Sequence, residues 1–473
     1  MKAQHPGLVL ATACVCQVLV VLDVTLVNVA LPSVATDLDI APASLSWVVN
    51  AYTLALGGLL LLGGRFADLV GHRVAMLVGL VVFAIASVFG GVAQSPAELI
   101  AARAGQGVAG AILAPLSLTV LMVAFAEGKA RSRAIGIWSM VAAGGSALGV
   151  LLGGILTESL SWRWVLLINV PIALAALLLA IFSVRNTHTA RGGRLDVAGA
   201  ILVTLSVSAL VNGTIQAAGH GWGSSYALLS FLIAILAGAA FAAWELRVAA
   251  TPLVRFGVFR ARSVWVAQIV ILFIGGATVA GFYFASLYLQ DVLHYTPIEA
   301  GAAFLPFCFG SVLGAMSSAP LAARFGRRTV MTAGLLFGSA GMYLFSLADA
   351  DSTFAGGFLP PSILASIGIG LCMVATTTMA TTGVAEHEAG LTSGLLNAGR
   401  QIGGSLSLAA LTTVAVSAST HSTALDAEHA LAAGYSRAFL VTAAFILVAA
   451  LAAATLTPPT PAPQKIKDKV KVA

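Results

Sequence analysis

The chain has 473 residues, 59% of them hydrophobic and only 9% charged, with a mean hydropathy of +0.99. Water-soluble domains carry roughly 25% charged residues, so this composition excludes a soluble protein and calls for lipid as the solvent. The net charge of +6 resides in short basic clusters between apolar runs, as in loops facing an anionic cytoplasmic leaflet, and this distribution argues against nucleic acid as a partner.

A helix needs about 20 apolar residues to cross a bilayer. Fourteen such runs are predicted, at approximately 8–31, 45–66, 74–93, 97–124, 134–157, 164–184, 197–217, 225–246, 264–289, 298–322, 329–348, 356–383, 391–418 and 435–456. The first follows Lys2 and has a small-residue stretch at Val27 to Ala30, the outline of a signal peptide. Asp23 interrupts it and equivalent runs follow, so it reads as the first span. With the N-terminus inside, twenty of the 24 basic residues fall in cytoplasmic segments, Arg163 and Arg437 fall outside, and Arg103 and Arg400 lie within spans. The positive-inside rule then predicts an even number of spans with both termini cytoplasmic, in the inner (plasma) membrane of the cell. Outside connections carry Asp37, Asp39, Asp349, Asp351, Asp426 and Glu428, with Trp162, Trp164, Trp222 and Tyr226 at the outer interface. Residues 458–473, Pro-rich and then Lys-rich, are predicted to form a disordered cytoplasmic tail. Cys14, Cys16, Cys308 and Cys372 fall inside apolar runs and read as inert buried thiols.

Ala126-Glu127 precedes Gly144-Gly145-Ser146 by the same spacing that separates Ala385-Glu386 from Gly403-Gly404-Ser405, and the stretch Arg65 to Arg73 has a weaker echo in Arg324 to Arg328. Matches this short also arise by chance in a Gly/Ala-rich chain. Taken as a repeat, they predict an all-α membrane protein of 14 transmembrane helices. Its parts would be a six-helix bundle over 1–185, two extra helices over 186–260, a second six-helix bundle over 261–457, and the tail.

Four features carry chemistry. Gly64-Arg65-Phe66-Ala67-Asp68-Leu69-Val70-Gly71-His72-Arg73 reads as a tight Gly-bounded turn at the membrane face. Asp68 there can latch onto a helix N-terminus or an arginine in one arrangement of the two halves; an ordinary positive-inside loop explains the bases but not the acid or the glycines. Asp23 is an acid within a span, expensive to bury, and its charge state depends on which side of the membrane reaches it. It reads either as the proton-coupling group or as the partner of a polar or cationic neighbour. Arg103 is the second intramembrane charge of the first half and needs a partner or a water-filled cavity. Gly145, Gly149 and Gly153 share one helix face and permit close backbone approach, either against the opposite half, sealing the cavity, or as general helix packing.

The Gly64 to Arg73 stretch resembles the signature cytoplasmic loop of the major facilitator superfamily. Leu22-Asp23-Val24-Thr25-Leu26-Val27-Asn28-Val29-Ala30-Leu31-Pro32 resembles the first-span motif of its fourteen-span drug:proton antiporters, and Leu99 to Ala111, with Arg103, Gln106 and Gly107, resembles the superfamily's Arg-containing motif. Gly136, Gly145, Gly149, Gly153 and Gly154 match the antiporter motif, with Val150 where that family usually has proline. Trp162-Arg163-Trp164, Asn169-Val170-Pro171 and Gly390 to Gly404 are similar to the same branch. The resemblance implies proton-coupled efflux of drugs or antibiotics by alternating access, no enzymatic activity, a gating role for Gly64, Asp68, Gly71 and Arg73, and a proton-relay role for Arg103.

Polarity and aromaticity nominate Asn28, Trp47, Asn50, Tyr52, Trp138, Phe282, Tyr283, Tyr288, Gln290, Asn397, Arg400 and Gln401 as cavity residues, although aromatics at such positions also serve as packing. Few acids lie near the core, which favours a neutral, weakly acidic or monocationic lipophilic substrate. Gly128-Lys129 is followed by Ala130, so no phosphate-binding loop is present, and no dinucleotide or metalloprotease motif occurs. No cofactor is expected, the energy must come from an ion gradient or a separate ATPase, and the resemblance implies a proton gradient. The expected partners are a small substrate, protons and membrane lipids, around a monomer. The rival reading is proton-coupled transport of an endogenous solute such as a siderophore, amino acid or lipid precursor.

Overall fold

A computed structural model describes residues 6–126, 128–185, 195–249, 252–254, 256–382, 389–422 and 426–457. The expected tail at 458–473, the repeat members Glu127, Ala385 and Glu386, and the bases Lys2, Arg191, Arg194 and Arg255 lie outside them. The described chain is all helix: α1 (Pro6–Asp37), α2 (Pro42–Val70), α3 (His72–Gly91), α4 (Pro96–Ala124), α5 (Lys129–Ser159), α6 (Arg163–Leu167), α7 (Asn169–Ser183), α8 (Val197–His220) and α9 (Ser225–Arg247). After a 3₁₀ turn come α10 (Arg262–Leu287), α11 (Pro297–Ala303), α12 (Leu305–Phe325), α13 (Arg327–Phe345), α14 (Leu359–Thr382), α15 (Ala389–Thr420) and α16 (Ala427–Leu456). Thirteen helical segments among the described residues are long and apolar enough to cross a membrane. α13 matches the predicted eleventh span in place, but its 19 residues open on Arg327-Arg328. Large apolar side chains such as Phe182, Ile235 and Met316 face outward at 69–77% exposure, an arrangement suited to lipid and costly in water. All four cysteines are buried and free.

Proline accounts for three of the places where a predicted span is not one continuous α-helix. The sixth breaks at Ile168 between α6 and α7, because Pro171 has no N–H to offer the Leu167 carbonyl. The tenth breaks at Phe304, just before Pro306, and the twelfth opens with a π turn, Phe354–Phe358, before Pro360 and Pro361. α10 also ends in a π turn, Tyr288–Val292, without a proline.

The stretch expected to be a loop at Gly64 to Arg73 is almost entirely helical. α2 runs to Val70, Gly71 alone makes the turn, and His72 begins α3. Gly71 has φ +94°, and Gly326, between α12 and α13, has φ +84° with a similar ψ. A Cβ is strained at such angles, so glycine is required at both. The two one-residue turns give the weaker sequence echo a structural counterpart. A second counterpart is in the packing. Gly145, Gly149 and Gly153 of α5 lie against Val18, Leu22, Thr25 and Leu26 of α1, while Gly399, Gly403 and Gly404 of α15 lie against Gln268, Leu272 and Val279 of α10.

α8 and α9 pack on each other, and α8 also packs against α2 and α15. Asp196 caps α8, its Oδ1 accepting from Gly199 N at 2.9 Å and from Trp244 Nε1 of α9 at 2.7 Å. Glu245 accepts the backbone N–H groups of Leu253 and Val254, anchoring the start of the segment that leads to α10. Asp196→Ala removes a helix cap and the indole's acceptor together, a loss of about 1–2 kcal/mol. Thermal unfolding in detergent should show a lowered midpoint, and an unchanged one would mean that the α8–α9 pair does not depend on this carboxylate.

Candidate functional site

Asp23, near the middle of α1, is fully buried. Its Oδ2 meets Arg103 Nη1 of α4 at 2.5 Å, and its Oδ1 accepts from Asn169 Nδ2 of α7 at 2.8 Å and Gln106 Nε2 of α4 at 3.0 Å. Arg103 also donates from Nη1 to Gln106 Oε1 at 2.8 Å and from Nε to the Val48 carbonyl of α2 at 3.1 Å, with its guanidinium 4.5 Å from the Tyr52 ring centre. Gln106 Nε2 donates to Ser87 Oγ of α3 at 2.9 Å. Five helices thus converge on one ion pair. Local sequence explains the approach: Arg103 and Gln106 stand three residues apart on one face of α4, and the break at Ile168 places Asn169 at the start of α7.

Of the sequence candidates, Asp23 and Arg103 are brought together, so the partner each was expected to need is the other. Gln106 and Asn169 entered the sequence reading only within resembling segments. Their signal was an amide in an otherwise apolar run; Ser87 gave none. Removing one member of a buried pair strands the other charge at about 3–5 kcal/mol, whereas replacing both by apolar groups costs far less. Arg103→Leu should therefore lower the unfolding midpoint in detergent more than Asp23→Leu/Arg103→Leu does. Equal midpoints for the two variants would show that the pair is not what holds these helices together.

The glycine face of α5 does not meet the opposite half as the sealing scheme required. Gly145, Gly149 and Gly153 pack on α1, and a Cβ at Gly136 would meet nothing within 4 Å. Gly154 is the member that touches the second half: a Cβ there would lie 2.8 Å from Ile298 Cα at the start of α11. Two neighbouring contacts reinforce it. Gly301 of α11 packs against the Val150 carbonyl, and Glu158 Oε2 accepts the Ile298 N–H at 3.0 Å. The apposition falls on the next face of α5 because Gly154 is one residue on from Gly153, about 100° around the helix.

Asp68 sits on the last turn of α2, its Oδ1 3.9 Å from His72 Nε2. Gly64 is helical and open, not part of a turn, and Arg73 stands in the first turn of α3.

A cavity of about 350 Å³ opens between the C-terminal ends of α1, α10 and α15 and the N-terminal ends of α2 and α16. Tyr283 lines it; the other eleven nominated cavity residues do not. Tyr52 is buried under Arg103, and Trp47 packs against the cluster of Leu54, Val211, Ile215 and Ala409. Asn50 is fully buried with neither side-chain polar atom bonded among the described residues. Asn28 donates to its own helix at Val24, and Gln290 donates to the Val29 carbonyl at 3.0 Å, joining α10 to α1. The Trp138 Nε1 is buried without a described partner. Phe282 stacks on Phe304, and Tyr288 donates to the Asp349 carbonyl. Arg400 Nη2 reaches the exposed Asn397 at 3.4 Å, and Gln401 packs against Gly57 of α2. Residues not nominated, among them Asp291, Thr412 and Tyr435, complete the cavity wall. Asp291 was visible in the sequence only as an acid near the core.

Residues 13–408 match the family model of the Major Facilitator Superfamily. The chain belongs to that superfamily. As a superfamily member it is a multi-pass membrane transporter. It is 43% identical over 456 residues, 96% of this chain and 92% of the other, to the cephamycin export protein CmcT of Amycolatopsis lactamdurans. It is 41% identical over 415 residues, 87% and 82% of the two chains, to the puromycin resistance protein pur8 of Streptomyces alboniger. Among solved structures, a bacterial homolog of the human lysosomal transporter Spinster, in an inward-facing and unoccupied conformation, shares the fold at a TM-score of 0.67 and 17% identity, covering 97% of this chain and 98% of that one.

Proposed function

We propose that this superfamily member exports small lipophilic organic compounds, antibiotics among them, in exchange for protons. The likeness to a cephamycin exporter along nearly the whole chain supports antibiotics as cargo, and the intramembrane ion pair of Asp23 and Arg103 supports the coupling. The accompanying topology has fourteen spans, α13 being one, with both termini in the cytoplasm. In it the halves 1–185 and 261–457 rock about each other, and 186–260 supplies the extra pair. The unit is a monomer in lipid, and no cofactor takes part.

The coupling follows from the bonding. Asp23 accepts three hydrogen bonds, and only that from Arg103 comes from a charged donor, so a proton on Asp23 cancels the negative charge that attracts the guanidinium. Loss of that attraction loosens α1 from α4. α1 is also one of the helices that meet the second half, since Ser286 donates to the Asn28 carbonyl at 2.8 Å and Gln290 to the Val29 carbonyl. One proton crossing about 100 mV supplies roughly 2.3 kcal/mol, about fifty-fold accumulation.

A susceptible host expressing the protein should tolerate some members of a panel of toxic compounds, and an uncoupler should abolish that protection; no gain against any compound would end the export reading. In proteoliposomes with an imposed pH gradient, Asp23→Asn should lose uphill transport while ligand binding stays measurable. Full uphill transport by Asp23→Asn would remove this residue from the coupling step.

A further inference from the structure

The cavity at the α1, α10 and α15 ends has mostly apolar walls, with the hydroxyls of Thr36, Thr412, Ser419 and Thr420 among them, and one acid. Pro32, Ile40, Leu45, Phe284 and Leu287 supply hydrocarbon and aromatic surface, and Asp291 projects from the π turn at the end of α10. Its one described hydrogen-bond donor is the Tyr435 hydroxyl, 3.3 Å from Oδ2, and none of the described salt bridges gives it a basic partner. The base nearest in sequence, His294, bonds directly to Glu428 at 2.9 Å and reaches Asp291 only through space. A carboxylate facing an apolar space without a protein cation is poorly solvated, and the favourable remedy is a cation brought by the ligand. The Tyr283 and Tyr435 rings beside it add aromatic surface of the kind that attracts organic cations, and a volume of about 350 Å³ falls in the range of small-molecule sites.

We infer that this cavity is a binding site for an organic monocation, one positive centre paired with Asp291 and a lipophilic body against the α1, α2 and α10 walls. The site rests on the export reading and narrows its substrate class from lipophilic compounds in general to singly charged amphiphilic cations. A single acid sets the charge: a second positive centre would find no partner on these walls. Both halves of the chain build the site, with α1 and α2 on one side and α10, α15 and α16 on the other, so its shape changes when the halves move.

Tetraphenylphosphonium is a suitable probe, with triphenylphosphine oxide as its neutral counterpart. On the purified full-length protein in detergent, tetraphenylphosphonium binding should weaken at least tenfold in Asp291→Asn and stay within about threefold of wild type in Asp291→Glu. Binding of the neutral compound should be the same in wild type and Asp291→Asn. Val416 lines the cavity, and the native cysteines are buried. In Val416→Cys, the added thiol should react with a maleimide and be protected by tetraphenylphosphonium, a measurement that decides the matter if Asp291→Asn fails to fold. Absent binding to wild type, equal affinity in Asp291→Asn, or labelling of Val416→Cys unaffected by the cation would each overturn the site. Binding with these signatures but no gradient-driven movement of the cation in proteoliposomes would overturn the export reading and leave the site standing.

Discussion

The buried pair of Asp23 and Arg103 constrains more of this molecule than any other contact. A lone charge at that depth would cost several kcal/mol, so α1 and α4 are held wherever the carboxylate and guanidinium can meet. The remaining capacity of both groups then recruits neighbours: Asn169 from α7, Gln106 and through it Ser87 of α3, and the Val48 carbonyl and Tyr52 ring of α2. Apolar side chains facing lipid or one another have no comparable reason to choose a register, because hydrocarbon surrounds them in either case. The polar network supplies the specificity that the hydrophobic effect cannot supply within a bilayer.

Glycine supplies the other constraint, through distance and not charge. On α5 and α15 it removes the side chains that would keep α1 and α10 away, and Thr25 and Gln268 sit where a Cβ would otherwise stand. The equivalent pairs α1–α5 and α10–α15, with the matching turns at Gly71 and Gly326, show one construction used twice. Between the two copies the contacts are of a different kind. Thr53 and Ser405 share a hydroxyl contact of 2.6 Å between α2 and α15, and Gly154 meets Ile298 between α5 and α11. Small and hydroxylated residues at these two contacts leave little to interlock, which suits surfaces that part during transport.

Much of this was legible in the sequence. Length and hydropathy located the helices, α8 and α9 to within three residues at each end, because a bilayer demands long apolar runs with charges at their margins. Asp23 and Arg103 stood out since charge within such a run is costly. The directions in which residues point were not legible. In a soluble helix polarity separates the inner face from the outer one, but here both faces are apolar, so the sequence could not say that the α5 glycines meet α1, or that Tyr52 lies beneath Arg103 and away from the cavity. The loop expected at Gly64 to Arg73 illustrates a different limit: its charged residues looked like turn residues, yet Arg65 and Asp68 lie within the C-terminal part of α2 and Arg73 in the first turn of α3, and the reversal needs only the left-handed conformation of Gly71. Asp291 was overlooked as a site because its meaning comes from Tyr435 and Thr412, more than a hundred residues away.

α1 connects these parts. Asp23 binds α4 and α7; one and a half turns on, the carbonyls of Asn28 and Val29 bind α10; and Pro32, nine residues beyond Asp23, lines the cavity beside Leu287 and Asp291. At 1.5 Å per residue the ion pair and the cavity wall are about 14 Å apart along one helix. Pro32 leaves the Asn28 carbonyl without its intrahelical donor, and Ser286 of α10 provides the replacement, so the cross-half bond forms where α1 is locally deprived of its own. A displacement of α1 caused by protonating Asp23 would therefore reach the second half through the Asn28 carbonyl, an acceptor without a donor in its own helix. The same displacement would move the wall that faces Asp291. In the proposed exchange, the proton and the organic cation need not compete for one carboxylate: each has its own, and a single helix carries the consequence from one to the other.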